Sequence, residues 1–170
     1  GSQNDMATIR LIYNDVHTIT KITNNNGDVL YEYKPQNKQL LNKDTCLMMS
    51  QLLTAPFEKS FQSYTTPTMI NYPTNTTFAT KTGSTPYDSL CAGYNPQYTI
   101  LSWCGYDDNR EMNMTSDTRI PKVIFQTMAN FMQKEELWYE PSSELKKIPI
   151  NPLTGDYQEN GLVYWFKDSA

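Results

Sequence analysis

Apolar positions follow two different spacings along this chain, one typical of strands and one of helices. Three short runs in the middle are rich in Thr, Tyr, Ile and Leu and are separated by short turns. Such runs predict neighbouring antiparallel strands. We place these strands at 77–83, 88–94 and 98–106, with the turn Asn95-Pro96-Gln97 between the last two.

The clearest helical spacing covers residues 118–132, where Pro121 falls in the first turn and its missing N–H costs nothing. A wide apolar face is expected to pack on the sheet and to bury Ile124, Met128 and Phe131 in particular. The whole predicted face comprises Ile120, Val123, Ile124, Met128, Phe131 and Met132.

Two further helices are predicted upstream. One covers 42–53, with Asn42 as its N-cap. The other covers 6–13, with Asp5 as its cap. The apolar face of the 42–53 helix is predicted to be Cys46, Met49, Leu52 and Leu53.

The remaining segments predict hairpins, a loop and a tail. Alternating runs at 17–22 and 28–33 flank Asn24-Asn25-Asn26-Gly27, which indicates a hairpin. Residues 54–77 form a long loop, and long loops in compact domains are often functional. We expect a mixed α+β fold, an antiparallel sheet with helices packed on it, within residues 1–140. Residues 141–170 are a tail or small extension with a turn at Thr154-Gly155-Asp156 and a last apolar run at 162–166.

Charge and composition narrow the possible functions. The net charge is −4 and no run of Lys or Arg is present, so nucleic acid is not an expected partner. Three cysteines at wide spacings and one histidine do not form a zinc motif, and the cysteines are expected to be small core residues. No metal or organic cofactor is expected.

The strongest chemical signal is Lys81-Thr82-Gly83-Ser84 at the end of a predicted strand. A Lys-Thr-Gly triplet on a strand is one of three motifs shared by penicillin-binding proteins and serine β-lactamases. The edge of such a strand can pair with a peptide backbone, and its lysine places positive charge beside a nucleophile and a carboxylate. The glycine leaves the cleft open.

The surrounding sequence resembles class A penicillin-binding proteins. Downstream of the triplet this family has an aspartate, a strand ending in Gly-Tyr, a turn with proline and a strand ending in Trp-x-Gly-x-Asp-Asp. The chain has Asp88, then Ala92-Gly93-Tyr94-Asn95-Pro96, then Trp103-Cys104-Gly105-Tyr106-Asp107-Asp108. Upstream, His17-Thr18-Ile19-Thr20-Lys21-Ile22 and Gly27-Asp28-Val29-Leu30-Tyr31-Glu32 resemble the family's hairpin. Leu90, Cys91 and Thr80 depart from the family pattern, which has two aromatic residues after the aspartate and Gly or Ala before the lysine.

The resemblance implies that the chain is the C-terminal part of a transpeptidase domain. The parent would cross-link peptidoglycan stem peptides through a serine acyl-enzyme, would be a target of β-lactams, and would lie at the outer face of a bacterial cytoplasmic membrane. Lys81, Thr82, Gly83 and Ser84 would be the third active-site motif, and the rest of the transpeptidase domain would be a partner.

The nucleophile is not identified, because the family's Ser-x-x-Lys and Ser-x-Asn precede Lys-Thr-Gly. The only Ser-x-x-Lys runs from Ser143 to Lys146, downstream of the triplet, and we interpret it as a solvated loop. Ser2-Gln3-Asn4 matches Ser-x-Asn, although Gly1-Ser2 resembles a cloning remnant. Ser2 and Asn4 therefore stay candidates, and the chain alone is expected to be inactive.

Other candidates have ordinary structural explanations. Asp107 and Asp108 are expected in a solvated turn, and His17 at the start of a strand. Tyr64, Tyr72 and Tyr87 either line the cleft or simply pack. Two rival functions remain open: a non-catalytic module that binds peptidoglycan or a partner, and a serine β-lactamase or D,D-carboxypeptidase.

Overall fold

The structure is a computed structural model that describes residues 12–13, 17–35, 38–132 and 141–168. This part of the chain has the predicted α+β architecture, with nine strands and two α-helices. The strands are β1 (Ile12–Tyr13), β2 (Lys21–Thr23), β3 (Val29–Glu32), β4 (Lys38–Gln39), β5 (Ala79–Ser84), β6 (Asp88–Tyr94), β7 (Thr99–Gly105), β8 (Leu145–Ile150) and β9 (Leu162–Lys167), and the helices are α1 (Lys43–Leu52) and α2 (Ile120–Phe131).

The central sheet has the order β5-β6-β7 and is antiparallel, as the sequence predicts. Both turns are closed by side-chain oxygens next to the strand ends. Thr85 Oγ1 accepts from the N–H of Asp88 at 2.9 Å, and Asn95 Oδ1 accepts from the N–H of Tyr98 at 2.8 Å. Such local bonds fix the length of each turn and thereby the register of the strands.

Helix α2 packs on β6 and β7, but through a different face from the predicted one. Its buried residues are Pro121, Phe125 and Ala129. The prediction that Ile124, Met128 and Phe131 are buried is wrong, because their side chains are 40%, 42% and 92% exposed. The inner face is selected by shape: a Cβ on Gly93 would lie 2.6 Å from the Phe125 ring, so glycine leaves the space that this ring fills.

Around Phe125 lies the main hydrophobic core. The Phe125 and Phe78 rings meet edge to face with centroids 5.4 Å apart. Ser102 Oγ donates to the Pro121 carbonyl at 2.7 Å and ties β7 to the start of α2. The buried cluster consists of Met69, Phe78, Cys91, Ile100, Phe125 and Ala129.

Helix α1 begins after Asn42, whose side chain caps it by accepting from the N–H of Asp44 at 2.8 Å. The predicted face is only partly correct. Cys46 is buried, but Met49 and Leu52 are more than half exposed. Leu47 and Ser50 are buried instead, and the Ser50 and Tyr94 hydroxyls are 2.8 Å apart, which links α1 to β6.

The segments outside the central sheet form three strand pairs. β2 and β3 make the predicted hairpin around Gly27. β1 pairs with β4, so the predicted 6–13 helix is wrong for Ile12 and Tyr13, while residues 6–11 lie outside the described residues. The predicted loop 54–77 contains 3-10 turns at Ala55–Phe57 and Lys59–Ser63.

The C-terminal residues form a hairpin of β8 and β9. The apolar run at 162–166 predicts β9, whereas β8 is not predicted. Leu145 of β8 is buried with Leu47 of α1, and Trp165 packs against this pair. The hairpin is thus attached to α1. The division of the chain near residue 140 stays a prediction.

Candidate active site

The predicted motif lies on β5, a strand that pairs with β6 on one side only among the described residues. Side chains alternate along a strand, so Lys81 and Gly83 lie on one face and Thr82 and Ser84 on the other. Lys81, Gly83 and Ser84 are exposed, and Thr82 is half-buried. The motif therefore lies on an accessible strand.

Within the described residues, the other edge of β5 is closed at its start by one hydrogen bond and has no paired strand beyond it. The Thr80 N–H donates to the Leu53 carbonyl at the end of α1, at 2.8 Å. In an antiparallel ladder alternate residues direct their N–H and C=O groups to the same edge, so Thr82 and Ser84 face the edge that Thr80 faces. Thr82 and Ser84 can thus pair with an added peptide strand.

Lys81 bends its ammonium group over this edge. The Lys81 side chain is exposed, and its Nζ donates to the Thr82 carbonyl oxygen at 2.6 Å. This bond satisfies an outward carbonyl that a peptide ligand would otherwise use. An incoming carboxylate or N–H group can displace it, because an exposed side chain is free to change rotamer.

A groove of about 460 Å³ lies beside the motif. Its walls are the end of α1, the two 3-10 turns of the long loop and the segment 65–68. The lining is mainly apolar and includes Leu52, Leu53, Pro56, Phe61, Pro67 and Thr68, together with Thr80, Lys81 and Thr82 of β5. The long loop thus forms part of the groove wall, and its part in a functional site stays a prediction.

Gly83 faces open space. A Cβ at this position would meet no atom within 4 Å. A side chain here would therefore not clash with the described residues and would project from the face that carries Lys81.

The face of the sheet that carries Lys81 and Gly83 is poorly covered. Leu90 is paired with Gly83 across β5 and β6, and Trp103 is paired with Leu90 across β6 and β7. Trp103 and Leu101 are 56% and 68% exposed. Large exposed apolar side chains in one patch mark a surface that binds another surface.

Comparison with known proteins identifies relatives of this chain. No protein-family model matches the chain. The chain is 30% identical over 144 residues to penicillin-binding protein 2D of Bacillus subtilis (strain 168), which covers 81% of the chain and 20% of that protein. It is 26% identical over 161 residues to penicillin-binding protein 1F of the same organism, covering 85% of the chain and 22% of that protein. The chain thus spans about a fifth of the length of these relatives.

A solved structure of another penicillin-binding protein is similar to this chain in fold. Penicillin-binding protein 1A from Haemophilus influenzae superposes with a TM-score of 0.65 and 19% identity, over 96% of this chain and 30% of that one. At this identity the likeness concerns the fold. The chain is homologous to penicillin-binding proteins over most of its length. The predicted match to the C-terminal part of a class A-like transpeptidase domain is confirmed.

The other residues that we singled out do not join this penicillin-binding protein motif. Ser2 and Asn4 lie outside the described residues. Ser143 is in the turn before β8, and Lys146 of β8 forms an ion pair with Asp168. The C-terminal Ser-x-x-Lys is therefore part of an exposed hairpin rather than of the motif on β5.

Polar candidates elsewhere have structural roles. Asp107 and Asp108 are exposed in a turn, as predicted. The prediction that His17 starts a strand is wrong, because β2 begins at Lys21; the His17 ring stacks on that of Tyr33, with centroids 3.5 Å apart. Within residues 12–13, 17–35, 38–132 and 141–168 no group of three His, Cys, Asp or Glu side chains is placed to hold a metal ion, and no helix there is long and apolar enough to cross a membrane.

The tyrosines and cysteines that we singled out from the sequence differ in burial. Tyr72 packs against the main core, while Tyr64 and Tyr87 are exposed and lie outside the groove. Cys46 and Cys91 are buried, as predicted, and Cys104 is half-buried. Burial raises the pKa of the Cys91 thiol to about 11, so this thiol is protonated and unreactive at neutral pH.

Sequence reasoning missed Leu53, whose carbonyl ends the free edge of β5. It is in an apolar run that predicts a core helix, and nothing in the run indicates that a backbone carbonyl there bonds to a strand 27 positions later. The groove walls were likewise not predictable residue by residue, since they depend on how α1 approaches the sheet.

Proposed function

We propose that this chain supplies one wall of the active site of a peptidoglycan D,D-transpeptidase. The observation that carries the proposal is the open edge of β5 at Thr82 and Ser84, with Lys81 beside it and a groove along it. An edge of this kind binds an extended peptide through backbone hydrogen bonds. Kinship with penicillin-binding proteins supports a stem peptide as that ligand.

In the proposed reaction a serine of the complete domain attacks the carbonyl carbon of the penultimate D-Ala. The bond to the terminal D-Ala breaks, and the amine nitrogen of this leaving residue takes up the proton that the serine hydroxyl has lost. An amine on a neighbouring stem peptide then displaces the serine oxygen and forms the cross-link. A β-lactam would acylate the same serine, which could then no longer attack a stem peptide.

Each residue of the motif has a separate proposed part. Lys81 stabilises negative charge on the ligand carboxylate and near the nucleophile. The backbone of Thr82 and the hydroxyl groups of Thr82 and Ser84 hydrogen-bond the ligand. Gly83 keeps the cleft open, in agreement with the empty space around it.

The rest of the transpeptidase domain is the proposed partner of the exposed sheet face. Leu101 and Trp103 lie on the face that carries Lys81, where a second wall would close the cleft. By the same kinship, the parent is proposed to act at the outer face of the cytoplasmic membrane. The transpeptidase part is proposed to comprise residues 1–140, followed by an extension.

The first test concerns the chain alone. We expect no covalent adduct after incubation with excess penicillin, because acylation needs a serine with an adjacent base and the two act as a unit. Intact-mass spectrometry measures this directly. A stoichiometric adduct mapped to Ser2, Ser84 or Ser143 would show that the nucleophile lies in this chain.

The second test concerns the full-length parent. Lys81→Ala should slow acylation by a labelled penicillin by at least about 100-fold, the range for loss of one charge-stabilising group. Lys21→Ala is the matched control, since Lys21 is an exposed lysine on the β2–β3 hairpin and does not line the groove beside the motif. Gly83→Val should also slow acylation without lowering stability. Normal acylation in both motif variants would remove β5 from the site, and rapid hydrolysis of the adduct would favour a β-lactamase.

A further inference from the structure

Gln51, in the last turn of α1, connects this helix to the C-terminal hairpin. Its Nε2 donates to the Val163 carbonyl at 2.9 Å, and its Oε1 accepts from the Trp165 N–H at 2.8 Å. Val163 and Trp165 are two positions apart on β9, so these groups lie on one edge of the strand. The carboxamide therefore takes the place of a peptide group from a neighbouring strand.

The same hairpin segment also holds the beginning of α1. Asp44 accepts hydrogen bonds from the N–H of Ser142, at 3.2 Å, and from the Ser142 hydroxyl. Between the two ends, Leu47 and Leu145 are buried against each other. Residues 141–168 thus fix the helix along its whole length.

From Gln51 the contacts lead directly to the motif. Leu53 lies two residues further on, and its carbonyl accepts the Thr80 N–H at 2.8 Å. Thr80 is buried and immediately precedes Lys81. The position of the α1 terminus therefore decides where the free edge of β5 begins.

We propose that Gln51 is a positioning residue and that the β8–β9 hairpin is a structural part of the β5 site. The hairpin binds the carboxamide of Gln51 and thereby fixes the end of α1. The Leu53 carbonyl at that end then fixes Thr80 and the start of the motif. Gln51 touches no ligand in this scheme, and the proposal rests on the function proposed above for the β5 edge.

Amide hydrogen exchange on the 170-residue chain tests the structural link. In Gln51→Leu we expect the Thr80 amide to exchange about ten times faster, as loss of two hydrogen bonds should increase local opening. The amide of Phe125 in α2 should be unchanged. Gln51→Glu keeps an acceptor for Trp165 but lacks the donor to Val163, so its effect should be intermediate.

Gln126→Leu is the matched control, because Gln126 is also a half-buried helical glutamine that donates to a backbone carbonyl, that of Pro73 at 2.9 Å. It should leave Thr80 exchange unchanged. Unchanged Thr80 exchange in Gln51→Leu, or equal acceleration in the control, would overturn the proposal.

Acylation of the parent by a labelled penicillin tests the consequence for the site. Gln51→Leu should slow it about five- to ten-fold, with Gln126→Leu near the natural rate. If Lys81→Ala slows acylation and Gln51→Leu does not, the positioning role fails while the proposed function stands. If Lys81→Ala has no effect, the proposed function fails, and the exchange data still decide the link between Gln51 and Thr80.

Discussion

The two faces of α2 carry similar side chains in opposite surroundings. Phe125 on the inner face is fully buried, whereas Phe131 on the outer face is 92% exposed. The inner ring fits the space above Gly93 and meets Phe78, and the outer ring has no such counterpart in the described part of the chain. Apolarity alone therefore does not determine which face of a helix is buried. The shape of the opposing surface does.

Phe125→Ala should produce the largest loss of stability. Removing a fully buried ring leaves a cavity between α2, β6 and Phe78, which costs about 3–5 kcal/mol. Urea denaturation followed by circular dichroism measures the change. A loss below about 1 kcal/mol would mean that the inner face is not the core.

Gly93→Ala should have the next largest effect and tests the shape argument itself. The added methyl would lie 2.6 Å from the Phe125 ring and 2.7 Å from Thr80 Cγ2, so both must shift. Overpacking of this kind costs about 1–3 kcal/mol. Gly83→Ala on β5 is the control and should be nearly neutral, since its methyl meets nothing within 4 Å. Equal effects of the two substitutions would contradict the account.

The sequence predicts the strands and helices better than it predicts which face of a helix is buried. The three central strands, their antiparallel order and the positions of α1 and α2 follow from spacing and turn residues. The buried face of α2 does not, because its apolar residues surround much of the helix and the decisive feature is the missing side chain of Gly93. Strand β8 was missed because Leu145–Ile150 contains two lysines and a proline, which hide its apolar positions.

The candidate site likewise has a part that the sequence predicts and a part that it does not. Lys81 to Ser84 can be found from the motif, since its chemistry depends on residue types at fixed spacing along one strand. The contribution of Leu53 and Gln51 cannot be found from the sequence. The Leu53 carbonyl bonds to a residue 27 positions away, and the Gln51 carboxamide bonds to a residue more than 110 positions away. Long-range contacts of this kind become visible only in the fold.

A third prediction uses pH to examine the inner core. The Cys91 thiol, packed in the cluster around Phe125, has its pKa raised from 9.0 to about 11 by burial, an effect that Lys122 partly offsets. Between these values the unfolded chain loses the proton and the folded chain keeps it, so stability falls as pH rises through this window. The thiol should account for about 1–2 kcal/mol of that fall.

Urea denaturation of the natural chain and of Cys91→Ala, at several pH values between about 8 and 11, isolates this contribution. The difference in stability between the two proteins should narrow as pH rises, since the alanine variant has no thiol to ionise. A constant difference across the window would show that Cys91 is not buried in the way described.

The smallest expected effect on stability belongs to the outer face of α2. Phe131→Ala should change the free energy of unfolding by less than about 0.5 kcal/mol, because an exposed ring has little buried area to lose. The same ring belongs to an exposed apolar stripe with Ile120, Val123, Ile124 and Met128. Such stripes favour association in water, so the isolated chain should self-associate as its concentration rises, and Phe131→Ala should weaken this association. Sedimentation velocity at several concentrations measures the association, and urea denaturation of the same samples measures stability. A loss of stability above about 1 kcal/mol with unchanged association would place Phe131 in the core and would reverse the assignment of the two faces.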